Sequence, residues 1–222
     1  MAASKVAMRF FGENLSCVRG ERLVFSGLEF AVDPGTALVL TGSNGSGKTS
    51  LLRVMSGLTR PTVGHLAWQD GPVVDNPERH HSRLNYVGHL DALKPILSVR
   101  ENLQTWAQLH GSTDKKIASA LKKLGLEGSE NIPGRYLSTG QRRRLSLARL
   151  AASDAPLWLL DEPTIALDTA SIDAVRSLIA EHRTAGGMAV IATNIDLRIA
   201  DTTTLNLLDF ATADEHIWEG VR

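Results

Sequence analysis

Thirteen residues, Ala37-Leu-Val-Leu-Thr-Gly-Ser-Asn-Gly-Ser-Gly-Lys-Thr49, restrict this chain more than any other stretch. Ala37 to Leu40 is a short apolar run that reads as a buried strand. It passes directly into Gly42-Ser43-Asn44-Gly45-Ser46-Gly47-Lys48-Thr49, which fills every fixed position of G-x-x-x-x-G-K-[ST]. A polyphosphate must be wrapped at close range by backbone N–H groups, so glycines at 42, 45 and 47 supply unhindered approach, and the helix that follows turns its positive end to the anion. Lys48 is placed to reach the β- and γ-phosphates, Thr49 to put its hydroxyl on Mg²⁺, and Ser43, Asn44, Ser46 and Ser50 complete the expected phosphate-binding loop. A Gly/Ser surface loop would match this pattern by chance on the order of 1% of the time in a chain of this size. The apolar strand before it and Leu51-Leu-Arg-Val-Met55 after it lower that further.

The chain has 222 residues, 24 Lys+Arg against 24 Asp+Glu, and 43% hydrophobic residues, a length and composition that allow a sizeable core. Balanced charge argues against a nucleic-acid binder working through a basic face. The single cysteine, Cys17, cannot staple a secreted fold and reads as a packed thiol, so a reducing compartment is expected. No apolar run approaches the roughly 20 residues that span a bilayer. The first residues also lack the apolar core of an export signal. A soluble, cytoplasmic protein is expected, with any membrane role coming through a partner.

Residues 5–36 alternate and turn often. Arg22 to Phe25 and Leu28 to Val32 read as short strands of an antiparallel region, with Asp33-Pro34-Gly35 turning into the phosphate-loop strand. His65 to Gln69 and then Asp70-Gly71 read as strand and tight turn. Asp75 to Arg83 reads as a polar loop in which the pair His80-His81 is solvated rather than metal-binding. Leu84 to Gly88 is a further strand. Ser98-Val-Arg-Glu101 is a capping box opening a helix whose apolar face is Leu103, Trp106 and Leu109 before Gly111, and Ser112 or Thr113 can cap a second helix, Asp114 to Leu124. His65 and His110 read as ordinary strand and helix-end residues.

Leu137-Ser138-Thr139-Gly140-Gln141 precedes Arg142-Arg143-Arg144, and three arginines at a helix start oppose its dipole. Either this is a solvated basic turn or an anion belongs there, met by the Ser138 hydroxyl and the Gly140 N–H. Leu157-Trp-Leu-Leu-Asp161-Glu162-Pro163 is four apolar residues ending in two acids, the pattern of a central parallel strand whose carboxylates sit at its ligand-binding edge. Asp161 is expected to partner the Mg²⁺ held by Thr49, and Glu162 to act as general base toward a water attacking the γ-phosphate. A helix from Ala170 to Thr184, a buried strand Met188 to Thr193 ending at Asn194, a strand Thr203 to Leu208 and a short segment around Ile217-Trp218 complete the reading.

In this order and spacing, Gly42–Thr49, Leu137–Gln141, Leu157–Glu162 and Ala166–Asp168 resemble the Walker A, signature, Walker B and D-loop motifs of ABC-transporter ATPase subunits, over about residues 12 to 210. Val24–Leu28, Leu66–Trp68, Val87-Gly-His89 and Ile132-Pro133 are similar to the haem-exporter branch that serves cytochrome c maturation. The resemblance implies an α/β P-loop NTPase, one domain over 1–222, with a RecA-like parallel-sheet core, a small antiparallel β region and a helical subdomain inserted at about 90–152. It further implies a head-to-tail homodimer in which Ser138, Gly140 and Gln141 of one copy meet the γ-phosphate held by the other. Integral membrane subunits would dock near His89 to Leu103, a haem chaperone would be a further partner, and the protein would be peripheral on the cytoplasmic membrane face. Three departures stand out: His89 replaces the usual γ-phosphate-sensing Gln, Arg19 replaces the adenine-stacking aromatic, and Asn194 replaces the switch histidine. Asn can donate a hydrogen bond but cannot take up a proton, so slow hydrolysis is expected. The competing readings are an ATP-gated clamp with little turnover, an ABC ATPase for another substrate, and a small P-loop kinase, in which Leu137–Gln141 would have no task. The long coiled coils of DNA-repair ATPases have no room in this chain.

Overall fold

The computed structural model describes residues 8–109 and 113–211, and its chain divides between two sheets. β1 (Phe10–Arg19) and β2 (Arg22–Val32) form a hairpin, after which the chain enters β3 (Ala37–Thr41), the phosphate loop and α1 (Lys48–Met55). It returns through β4 (Val63–Trp68) and β5 (Gly71–Pro72), giving an antiparallel sheet of order β2-β1-β4-β5. The two short strands expected within 22–32 are one continuous strand. Gly27 at φ +64° and the shifts of register around Cys17 absorb the turn signal as a bulge instead of a break. Cys17 itself points into the core and is 1% exposed.

The second sheet is parallel throughout. α2 (Pro77–Ser82) leads into β6 (Leu84–Val87), and the long crossover carries α3 (Val99–Leu109), α4 (Asp114–Lys123) and α5 (Thr139–Ala151) before β7 (Leu157–Asp161). α6 (Thr169–Thr184), β8 (Met188–Ala192) and β9 (Thr202–Asn206) follow, and the order is β6-β7-β8-β3-β9. The expected last strand stops two residues early, because Leu207–Phe210 tightens into a 3₁₀ turn capped by Asn206.

All five residues of β7 and of β8 are buried, as a parallel strand covered on both faces requires. Their alternation divides them between two cores. Leu157, Leu159, Met188 and Val190 pack toward the antiparallel sheet and α1, whereas Trp158, Leu160, Ala189 and Ile191 pack toward the helices of the crossover. α6 is fixed to this wall by His182, whose ring stacks on Trp158 at 3.7 Å between centroids. In the crossover, the capping box at Ser98 and Glu101 forms with both legs, 2.7 and 3.2 Å. Thr113 occupies the N-cap of α4 but its side chain makes no capping bond, while Ser112, His110, Gly111, the chain's first residues and the Ile217-Trp218 segment lie outside the described residues.

His80 corrects the expectation of a solvated loop over 75–83. A short 3₁₀ turn, Val73–Asp75, ends where that stretch begins, α2 fills most of the rest, and His80 is 1% exposed. Trp68 Nε1 donates to its Nδ1 at 3.0 Å, and its Nε2 faces the Met55 carbonyl at 3.0 Å, so both ring nitrogens are engaged inside the protein. The signal was legible in principle, since Asn76-Pro77 is a strong helix start. Burial, then the neighbouring His81, brings the His80 pKa down to about 4. An unfolded histidine titrates near 6.5, so between these values the unfolded chain holds a proton that the native ring refuses. Stability is therefore full above about pH 6.5 and falls toward pH 4, this group alone contributing a loss of about 2 kcal/mol at pH 5. Urea unfolding at pH 7 and pH 5 should show this slope, and His80→Leu should be less stable at pH 7 yet lose less on acidification.

Candidate functional site

Three strands end side by side. Leu40 of β3 lies opposite Ala192 of β8, and Ala192 lies opposite Asp161 of β7, so the segments leaving these strands converge on one carboxyl edge. The phosphate loop leaves β3, Asn194 follows β8, and Glu162 follows β7. Gly42 at φ +136° and Gly47 at φ +105° hold conformations that side chains do not adopt. A Cβ on Gly47 would stand 2.6 Å from Val24 Cγ1, which fixes the loop against β2.

Lys48 is 7% exposed and its Nζ donates to the carbonyls of Gly42 (2.7 Å) and Ser43 (3.2 Å) and to Asn194 Oδ1 (2.9 Å). Asn194 Nδ2 donates in turn to Asn44 Oδ1 at 2.7 Å. Thr49 Oγ1 donates to Asp161 Oδ2 at 2.9 Å, so a hydroxyl and a buried carboxylate stand together where the loop meets α1. Two adjacent hard oxygens suit Mg²⁺, which keeps most of its shell as water and phosphate oxygen. Among the described residues no group of three or more His, Cys, Asp or Glu is placed to hold a metal by itself. Glu162 is half-buried with φ +46°, and its N–H donates to the Ala192 carbonyl at 2.9 Å.

Asn44, Gly47, Lys48, Thr49, Asp161, Glu162 and Asn194 line a cleft of about 660 Å³ together with Arg19, Gly45, Ser50 and His89, whereas Gly42, Ser43 and Ser46 do not line it. Sequence reasoning missed Arg22, Val24 and Ile165 on its wall. Arg22 was within reach, since a tight hairpin at Gly20 places it directly across from Arg19. Tyr86 was also unforeseen. Burial, then the charge of Asp161, pushes its hydroxyl up to about 12, so it stays a neutral neighbour of that carboxylate. His65 is remote, in an exposed pair with Glu13.

Ser138, Gly140 and Gln141 are not brought to this cleft within one protomer. Ser138 caps α5 in a reciprocal box, its Oγ accepting from the Gln141 N–H at 3.2 Å while Gln141 Oε1 accepts from the Ser138 N–H at 2.9 Å. A Cβ on Gly140 would lie 3.1 Å from the Ala166 carbonyl oxygen.

The three arginines do not crowd the helix start as the sequence suggested. α5 begins at Thr139, so Arg142 closes the first turn and the other two lie beyond it, where the dipole has faded. Arg143 is 4% exposed and bonds to carbonyls at the end of β7, and Arg144 Nη1 donates to the Leu124 and Gly125 carbonyls. Neither of these two is a solvated charge or one that waits for an external anion.

The ABC transporter family profile matches residues 25–165. The cytochrome c biogenesis ATP-binding export protein CcmA of Rhodospirillum rubrum is 54% identical over 202 residues, 91% of this chain and 87% of that protein. Its namesake in Paramagnetospirillum magneticum is 51% identical over 210 residues, 93% of this chain and 97% of that protein. Among solved structures, an ABC transporter ATP-binding protein from Pyrococcus furiosus superposes with a TM-score of 0.81 at 24% identity, over 92% of this chain and 100% of that one. A bacterial Atm1-family ABC exporter with ATP bound superposes at 0.80 and 20% identity, over 90% of this chain and 37% of that one. The last two similarities speak for the fold alone.

Gly47→Ala tests the geometry of the loop. Its added methyl meets Val24 in a backbone conformation that alanine avoids, so affinity for the fluorescent nucleotide mant-ATP, read by titration, should fall by about ten-fold or more.

Proposed function

This chain belongs to the ABC transporter family, with the cytochrome c biogenesis ATP-binding export proteins as relatives at 54% and 51% identity, and on that premise we propose that it is the ATP-binding, ATP-hydrolysing subunit of an export complex in c-type cytochrome biogenesis. Haem, or a haem chaperone released by the complex, is the cargo that the resemblance of Val24–Leu28 and His89 to the haem-exporter branch suggests. The observation that carries the reading is the meeting of Lys48, Thr49, Asp161, Glu162 and Asn194 at one sheet edge, while the Ser138–Gln141 corner stands apart from it.

Residues 1–222 act as one nucleotide-binding domain. The phosphate loop binds ATP through its backbone N–H groups and Lys48, with Arg19 stacking its guanidinium plane on the adenine. Thr49 and Asp161 would hold Mg²⁺, which when bound neutralises charge on the β- and γ-phosphate oxygens. Glu162 accepts the proton of the attacking water, His89 orients that water, and Asn194 donates a hydrogen bond toward the γ-phosphate. The Ser138 hydroxyl and the Gly140 N–H contact the γ-phosphate of a second copy in a head-to-tail dimer, with Gln141 beside them. Partner subunits in the membrane dock on the segment from His89 to Leu103, where Leu90 and Ile96 are 80% and 81% exposed. Among the described residues no helix is long and apolar enough to cross a membrane. Such docking would make the protein peripheral, and its use of ATP would put it on the cytoplasmic face.

Glu162→Gln should retain mant-ATP binding and lose turnover by about a hundred-fold or more. Light scattering on that variant with ATP should show dimers, and a strict monomer even with the membrane partner present would overturn the arrangement. Asn194 favours one second reading, an ATP-gated clamp that scarcely hydrolyses. Cytochrome c maturation in cells carrying Glu162→Gln separates the two, since an engine fails and a clamp persists. Asn194→His should raise steady-state turnover several-fold, because an imidazole can carry charge toward the γ-phosphate where an amide cannot. An equal or slower rate would refute the limiting role of Asn194.

A further inference from the structure

One buried guanidinium gathers the exits of two strands. Arg143 Nη2 donates to the carbonyls of Asp161 and Glu162, each at 2.8 Å, and Nε donates to the Pro163 carbonyl at 3.2 Å. Nη1 donates to the Gly88 carbonyl at 2.8 Å and to Asp91 Oδ1 at 3.4 Å. The fork's five donors are thus matched to five acceptors, with the side chain 5% exposed. Three of those acceptors are consecutive carbonyls along the turn that carries Glu162, and a fourth immediately precedes His89.

Glu162 needs such restraint. It is a non-glycine residue at φ +46°, a conformation that persists only where the surroundings impose it. Its N–H is tied to β8 through the Ala192 carbonyl, and its own carbonyl is tied to Arg143. A lysine could not reproduce this, since its three donors radiate from one nitrogen whereas the guanidinium spans the turn on one edge and reaches Gly88 with the other.

We propose that Arg143 is the positioning residue for hydrolysis, aiming the Glu162 carboxylate and tying it to both α5 and the Gly88–Asp91 segment. Any displacement of that segment or of the helix that carries Ser138 then moves the base through a single side chain. This rests on Glu162 being the base, and the test separates the two ideas.

Turnover and mant-ATP affinity are measured for the full chain as wild type, Arg143→Lys, Arg143→Gln and Glu162→Gln, and for each Arg143 variant combined with Glu162→Gln in single-turnover mode. Arg143→Lys should lower turnover by about ten-fold to a hundred-fold, as expected for a misplaced base, with mant-ATP affinity unchanged. In the Glu162→Gln background the same change should have no further effect on rate, because the group it positions is already gone. Wild-type turnover in a folded Arg143→Lys or Arg143→Gln protein overturns the proposal. So does a loss of affinity in step with turnover, or an equal loss of rate in the Glu162→Gln background, either of which marks a general structural role. If Glu162→Gln alone turns over normally, the assignment of the base fails first, and the role of Arg143 falls with it.

Discussion

A strand covered on both faces has no flank left for chemistry, and that constraint governs this molecule. β7 and β8 give their apolar side chains to one core or the other, so reactive groups can stand only at the ends of those strands, as Asp161 does at the last position of β7. Because Leu40, Ala192 and Asp161 end in register, three loops arrive at the same height and within hydrogen-bond reach of one another. The bonds Lys48–Asn194 and Thr49–Asp161 each join residues more than a hundred positions apart in sequence, and both follow from that alignment. An insertion that shifted β3 by a residue would disturb both, and one that shifted β7 or β8 would disturb the bond that strand carries.

Strand exits also collect carbonyl oxygens that no further strand can pair. At the end of β7 and beside Gly88 these oxygens form a buried electronegative rim, and Arg143 satisfies it with one fork. Arg143 lies past the first turn of α5, where the helix dipole no longer opposes a cation, and the neighbouring sheet supplies the acceptors its guanidinium needs. The desolvation of the guanidinium pulls its pKa below the ordinary value, and Asp91, Asp161 and Glu162 pull it back.

Much of this was legible because it is local. The phosphate loop, the apolar run into Asp161-Glu162 and the capping box at Ser98 depend on short-range chemistry that a sequence states outright. What escaped depends on packing across long separations. His80 reads as polar until Trp68 and Met55 are seen to close on its ring nitrogens. Arg22 reached the cleft wall through a hairpin register, and Tyr86, which does not line the cleft, came near Asp161 through the position of β6 beside β7. The capping role of Ser138 is masked for a different reason: S-x-x-Q is a recognised box, but the same serine also fits an external phosphate. Both uses are open to one hydroxyl, since it accepts from Gln141 and still has a proton to donate.

Cys17 is the chain's single thiol, and the hairpin buries it so fully that its pKa is raised and little thiolate forms. The native surface is consequently silent toward maleimides. A cysteine installed on the outer side of α4 or beside Leu90 would be the sole site of labelling, with no prior removal of the native one. Distances between two copies, or between a copy and a membrane subunit, could then be followed optically through a catalytic cycle on an otherwise unaltered sequence.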